Sequence, residues 1–83
     1  MTMDASQFYK DEDVCIGVLA DARRLWGSTS TTEAQYDKME EVLGFAWIYG
    51  PESLHVAIES ALHEATRRKF HFILNVWSKH EEN

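Results

Sequence analysis

RRKFHFILNVWSKH, residues 67–80, decides the fold class of this 83-residue chain. Read at 3.6 residues per turn, Phe70, Ile73, Leu74 and Trp77 form one tight stripe. Phe72 and Val76 lie on the adjacent face and widen the apolar arc to roughly 200°. Arg67, Arg68, His71, Asn75, Ser78 and Lys79 occupy the remainder. Read at a period of two, Phe70, Phe72, Leu74 and Val76 alternate with His71, Ile73, Asn75 and Trp77, and the residue types suit a strand. A strand needs a partner, and no second stretch of the chain offers one. The helical reading prevails. A helix apolar over more than half its circumference belongs at the centre of a bundle or against a partner chain.

The segments upstream read as helices too. Over residues 4–26, Phe8, Cys15, Val18, Leu19, Ala22, Leu25 and Trp26 recur as one stripe about 120° wide. Asp11, Glu12 and Asp13 mark an alternative start after a short leading turn, since acids favour helix N-termini. Arg23 and Arg24 suit the C-terminal end, and Gly27 closes it. A second helix starts near residue 32, capped either as Ser30-Thr31-Thr32-Glu33 or one step on as Thr32-Glu33-Ala34-Gln35. It runs to about Tyr49 with Tyr36, Met39, Leu43, Ala46 and Trp47 on its stripe. Phe45 and Ile48 fall off that stripe, facing another helix or a partner. Gly50-Pro51 ends this helix and starts a third, with Pro at its first position. The third carries Leu54, Ala57, Ile58, Ala61 and Leu62 on one face. Thr66 is either a fresh N-cap or a residue inside one long helix. The expected fold is all-α: one domain over 1–83, a compact bundle of three or four helices.

Size and charge narrow the function. A domain this small buries only about 60% of the surface of its unfolded chain. A hydrophobic content of 45% still supports a core. The single cysteine, Cys15, allows no intrachain disulfide and reads as a buried, inert thiol. MTMDASQF has neither the cationic region nor the apolar run of a signal peptide, and no run reaches membrane-spanning length, so a cytoplasmic location is expected. Residues 1–64 hold four Lys/Arg against twelve Asp/Glu, a net of −8, whereas 65–80 hold Arg67, Arg68, Lys69 and Lys79 with no acid. The total is −6. Such a body repels nucleic acid at long range and leaves only a local basic patch to bind it.

No catalytic signature emerges. The chain has no Gly-rich phosphate loop, no nucleophile elbow and no carboxylate pair placed for acid–base work, and it reads as a non-enzyme without a cofactor. His55, Glu59 and His63 share one side of the third helix at i, i+4 and i+8, the raw material of a metal site, but the zincin placement of Glu and a further ligand are absent and a solvated helix face is the better account. The acids Asp11-Glu12-Asp13 and Asp37, Glu40, Glu41 read as solvated faces or as mimics of phosphate spacing.

The stretch AWIYGPESLHVAIESALHEATRRKFHFILNVW resembles the C-terminal domain of DnaD-like primosomal replication proteins. That family has an aromatic before a Gly/Pro break, an Ala-Ile-x-x-Ala helix and a closing Ile-Leu-x-x-Trp. Ala57-Ile58-Glu59-Ser60-Ala61 and Ile73-Leu74-Asn75-Val76-Trp77 match the last two elements, within a resemblance covering about residues 30–80. The family's last helix also contains a Tyr, which falls here at Lys69 or Phe70, and Glu81-Glu82-Asn83 stands where a basic tail often follows in the family. The resemblance implies an all-helical module contacting DNA or a helicase-loading partner.

Two function classes follow. In the first, the chain is a protein-interaction module, a replication adaptor or a small phage-type inhibitor such as an anti-CRISPR. It docks on a basic nucleic-acid-handling protein through Asp37, Glu40, Glu41, Phe45, Ile48, Phe72 and Val76, and the excess apolar surface also suits a homodimer. In the second, Arg67, Arg68, Lys69, His71 and Lys79 contact DNA, weakly and with steep salt dependence. A His-based metal-binding protein is the third alternative. No membrane association is expected.

Overall fold

A computed structural model describes residues 4–81, and all of the secondary structure within them is helical. The elements are α1 (Ala5–Phe8), α2 (Glu12–Trp26), α3 (Glu33–Tyr49) and, after a 3-10 turn over Glu52–Leu54, α4 (His55–Glu81). The all-α bundle expected from the periodicities is what forms. The leader reading of the first residues and the ending at Glu82-Asn83 fall outside the described residues.

Over 4–26 the alternative start at Asp11 is the one used, and the segment is two helices. Asp4 and Asp11 each adopt extended backbone and accept a hydrogen bond from the main chain two residues on, Ser6 N at 2.8 Å and Asp13 N at 2.9 Å. Each aspartate therefore caps its own helix, and the chain turns at Tyr9 between them. This turn removes Phe8 from the expected stripe: it is 45% exposed, its ring edge-on to Tyr9. The rest of the stripe holds, with Cys15, Val18, Leu19 and Ala22 buried.

At α3 the second capping register is the one used. Gln35 N donates to Thr32 Oγ1 at 3.3 Å, and Thr32 N donates to Gln35 Oε1 at 2.7 Å. Tyr36, Leu43 and Ala46 are buried, whereas Trp47 lies partly exposed at the rim. Pro51 is not the first residue of a helix. Its backbone is extended, and the 3-10 turn carries the chain round into α4. Gly50 is required for closeness rather than for an unusual dihedral. A Cβ there would run into the Ala46 carbonyl and come within 3.0 Å of Cys15 Sγ.

Helix α4 passes through Thr66 without interruption, 27 residues or about 40 Å long. It packs antiparallel along α3, with Ile58, Ala61 and Ala65 buried against Leu43, Ala46 and the α2 stripe. The small alanines permit the close approach. Helix α2 lies beside the first half of α4: Leu19 lies by Ala57 and Ala61, and Trp26 lies by Arg68.

Of the two places expected for the apolar arc of α4, the bundle centre is not where its tight stripe lies. The tight stripe of its second half does not enter the core: Phe70 is 60% exposed, Leu74 47% and Trp77 65%. The buried line through Ile58, Ala61 and Ala65 continues instead through Lys69 and the half-buried Phe72. The reason is direction: the stripe lies roughly 140° around α4 from the Ile58–Ala61–Ala65–Phe72 line that meets α3 and α2. Helix α2 ends beside Arg68, and Tyr36, in the first turn of α3, meets Phe72 at 5.8 Å. At that antiparallel register Glu33, where α3 begins, comes level with about Asn75. Beyond it α4 overhangs the body.

Candidate protein-interaction surface

Each of the three consecutive cations of the basic segment is paired with a carboxylate of its own chain. Arg67 Nη2 and Arg68 Nε both reach Glu64 Oε1, at 2.6 and 2.7 Å, spaced i+3 and i+4 from it on α4. Arg68 also lies 5.5 Å over the Trp26 ring and donates to the Trp26 carbonyl at 3.4 Å. Lys69 reaches across to α3, where it pairs with Asp37 and, at 3.1 Å, with Glu40. Thr66 Oγ1 donates a further hydrogen bond to Glu40 at 2.9 Å. The hydrogen bonds from Arg67 and then Arg68 hold the Glu64 carboxyl below the usual glutamate range. Those from Lys69 to Asp37 and Glu40 hold its ammonium protonated well above the usual lysine range. His71 and Lys79 are exposed on the same half of α4. Arg67, Arg68 and His71 share one shallow groove with Tyr36, Phe72 and Asn75.

The residues expected to meet a protein partner divide into two groups. Asp37 and Glu40 are engaged by Lys69, and Phe72 lies against Tyr36. Glu41, Phe45 and Ile48 stay together on the outward side of α3, where Ile48 is 61% exposed and Glu41 has a long, exposed pair with Lys38 at 3.9 Å. Val76 is 40% exposed near the overhang, away from them.

Around Phe45 the fold builds an aromatic row that the sequence alone does not reveal. Tyr9 stacks on Phe45 with centroids 5.9 Å apart, and Phe45 stacks on Tyr49 at 6.3 Å. Glu41, Phe45 and Tyr49 recur at i, i+4 and i+8, which was legible. The placement of Tyr9 over them was not, because it depends on the turn between α1 and α2. Burial, and then the nearby Glu41 charge, push the Tyr9 phenol above the usual tyrosine range. Cys15, buried beneath, donates its thiol to the Tyr9 carbonyl at 3.2 Å, and its own pKa is raised by burial. This contact and the approach of Gly50 to Cys15 bring the start of α2 to the end of α3. Asp11, Glu12 and Asp13 therefore stand at the same pole of the bundle as Tyr49 and Glu52, next to the aromatic row.

His55 is committed elsewhere. Its Nε2 donates to the Trp47 carbonyl at 2.7 Å, and its ring stacks on the indole at 5.0 Å. His63 and Glu59 lie 4.0 Å apart, and among the described residues no three His, Cys, Asp or Glu side chains converge on a point that holds a metal ion. No helix among them is long and apolar enough to cross a membrane.

No protein-family model, curated protein or solved structure matches this chain.

Proposed function

We propose that the chain is a non-enzymatic interaction module that docks its acidic, aromatic pole on a basic surface of a nucleic-acid-handling protein. The observation that carries this reading is how charge is spent within the fold. Arg67, Arg68 and Lys69 are neutralised internally, while Asp11, Glu12 and Asp13, with the single cation Lys10 before them, follow Tyr9, which stacks on Phe45 and through it on Tyr49. Aromatic side chains give contact area at small entropic cost, and the acidic rim gives sign and steering toward a cationic partner. A replication adaptor and a small phage-type inhibitor both work by such docking, in a cytoplasmic setting.

The second reading is the direct DNA contact that the DnaD-like resemblance implies, through Arg67, Arg68, Lys69, His71 and Lys79. The groove that Arg67, Arg68 and His71 share with two aromatics favours it. Against it, phosphates would have to displace Glu64, Asp37 and Glu40 from cations they already neutralise, so little counterion release remains to drive binding.

Immobilised chain is exposed to purified helicase loaders and CRISPR effectors of its host, and in parallel to labelled duplex DNA at low salt. The first reading expects saturable protein binding that Glu12→Gln, Asp13→Asn and Glu41→Gln together weaken about tenfold, mostly through a slower on-rate. DNA binding lost in Arg67→Ala/Arg68→Ala, with no protein binding, would transfer the assignment to the second.

A further inference from the structure

We propose that the chain pairs with a second copy of itself, the C-terminal halves of the two α4 helices lying antiparallel with Phe70, Ile73, Leu74 and Trp77 forming the seam. These four positions follow the three-and-four spacing of a helix–helix seam, and three of them are exposed large apolar side chains on one side of α4. The face lies roughly 140° around α4 from the Ile58–Ala61–Ala65–Phe72 line that meets α2 and α3, so neither neighbour covers it.

The occupant follows from shape, charge and area. A two-fold axis between Ile73 and Leu74 sets Phe70 of each copy level with Trp77 of the other and places the two medium side chains at the centre. The face is thus complementary to itself, as an isologous interface must be. The seam positions carry no ionisable group. The cations beside them, Arg67, Arg68 and Lys69, are already neutralised within each chain. Elsewhere a net charge of −6 opposes contact between copies. Antiparallel α4 helices also hold the two acidic poles at opposite ends of the pair. The exposed parts of Phe70, Leu74 and Trp77 supply roughly 370 Å² of apolar surface per copy, or ~740 Å² in the pair. With a polar rim, that is near the lower bound of about 1,000 Å² for a specific interface, which makes this a weak dimer that dissociates on dilution.

Sedimentation velocity over about 1 to 300 μM tests the pairing. The expected result is a mass rising toward twice the monomer. Trp77→Glu should raise the dimer dissociation constant at least about tenfold, and exposed Ile48→Glu should leave it unchanged, each with unaltered helical circular dichroism. A wild-type chain that stays monomeric throughout, or a dimer indifferent to Trp77→Glu, overturns the proposal. Orientation is read by disulfide trapping. Leu74→Cys lies at the axis and should cross-link to itself, whereas Trp77→Cys lies about 10 Å along the axis from its own copy and should not. Equal cross-linking at both positions would overturn the antiparallel arrangement. Neither readout depends on the acidic pole or its partner.

Discussion

The Lys69 ammonium lies 3.1 Å from the Glu40 carboxylate, across the contact between α4 and α3. In the sequence the two belong to opposite expectations, a cation meant for DNA and an acid meant for a protein partner. The fold makes them partners of each other. Removing the cation leaves Asp37 and Glu40 facing one another without compensation, so Lys69→Met should lower the thermal midpoint. The deficit should shrink as salt is raised. Because the pair lifts the Lys69 pKa, its contribution is fully present below the ordinary lysine value and fades as pH rises through the raised one. Thermal scans of both proteins from neutral to strongly alkaline pH should therefore converge at the alkaline end. Combining Lys69→Met with Glu40→Gln should recover part of the loss, a non-additivity that a double-mutant cycle measures.

Glu64 has the opposite sign of linkage. Its pKa is depressed by two arginines, so its contribution holds above the ordinary glutamate value of about 4.3 and disappears as pH falls through the lowered one. Glu64→Gln should be less stable than the wild type at neutral pH. The two acid-unfolding curves, followed by circular dichroism, should meet at the acid end.

Gly50→Ala tests the crowded corner between α3 and the turn. The new methyl group meets the Ala46 carbonyl, an atom held by the helix, and nears Cys15 Sγ. A loss of about 1–3 kcal/mol in denaturant unfolding is expected, in the range for overpacked sites. The same change at Gly44, where a Cβ would meet nothing within 4 Å, should be neutral or stabilising, because alanine is the better helix former.

Core and surface are told apart by truncation. Ile58→Ala and Leu43→Ala, both fully buried, should each cost about 2–5 kcal/mol. Trp77→Ala, measured at a concentration where the chain is monomeric, should stay within about 0.5 kcal/mol despite removing the larger side chain. Equal losses at Trp77 and Ile58 would contradict the overhang.

Much of the architecture could be read from local chemistry. The apolar stripe of α2, the Thr32–Gln35 cap and the Gly50-Pro51 break each depend on residues within one or two turns of each other. The first turn was harder, because Phe8 and Tyr9 carry no helix-breaking residue and only the caps at Asp4 and Asp11 separate α1 from α2. Which side of α4 meets the core was hidden for a different reason. Phe70, Ile73, Leu74 and Trp77 are more hydrophobic than Ala61 and Ala65, yet burial follows the side that α2 and α3 occupy. Extending the Ile58–Ala61–Ala65 line forward passes through Phe72, and that continuity was the available signal. The pairs between Lys69 and α3 were hidden because they join residues far apart in the chain. So was the stacking of Tyr9 on Phe45.

The separation of charge along the molecule has a consequence for motion before contact. The bundle extends 50 Å along its longest axis, with Asp11, Glu12, Asp13 and Glu52 gathered at one pole, whereas Arg24, Arg67, Arg68 and Lys69 are paired with carboxylates away from it. The field of a cationic surface therefore exerts a torque as well as an attraction on this body. The torque turns the start of α2 and the Tyr49 edge toward the partner while the two are still apart. A larger share of collisions then begins in an orientation that can bind, and added salt should reduce the association rate by erasing this alignment along with the pull.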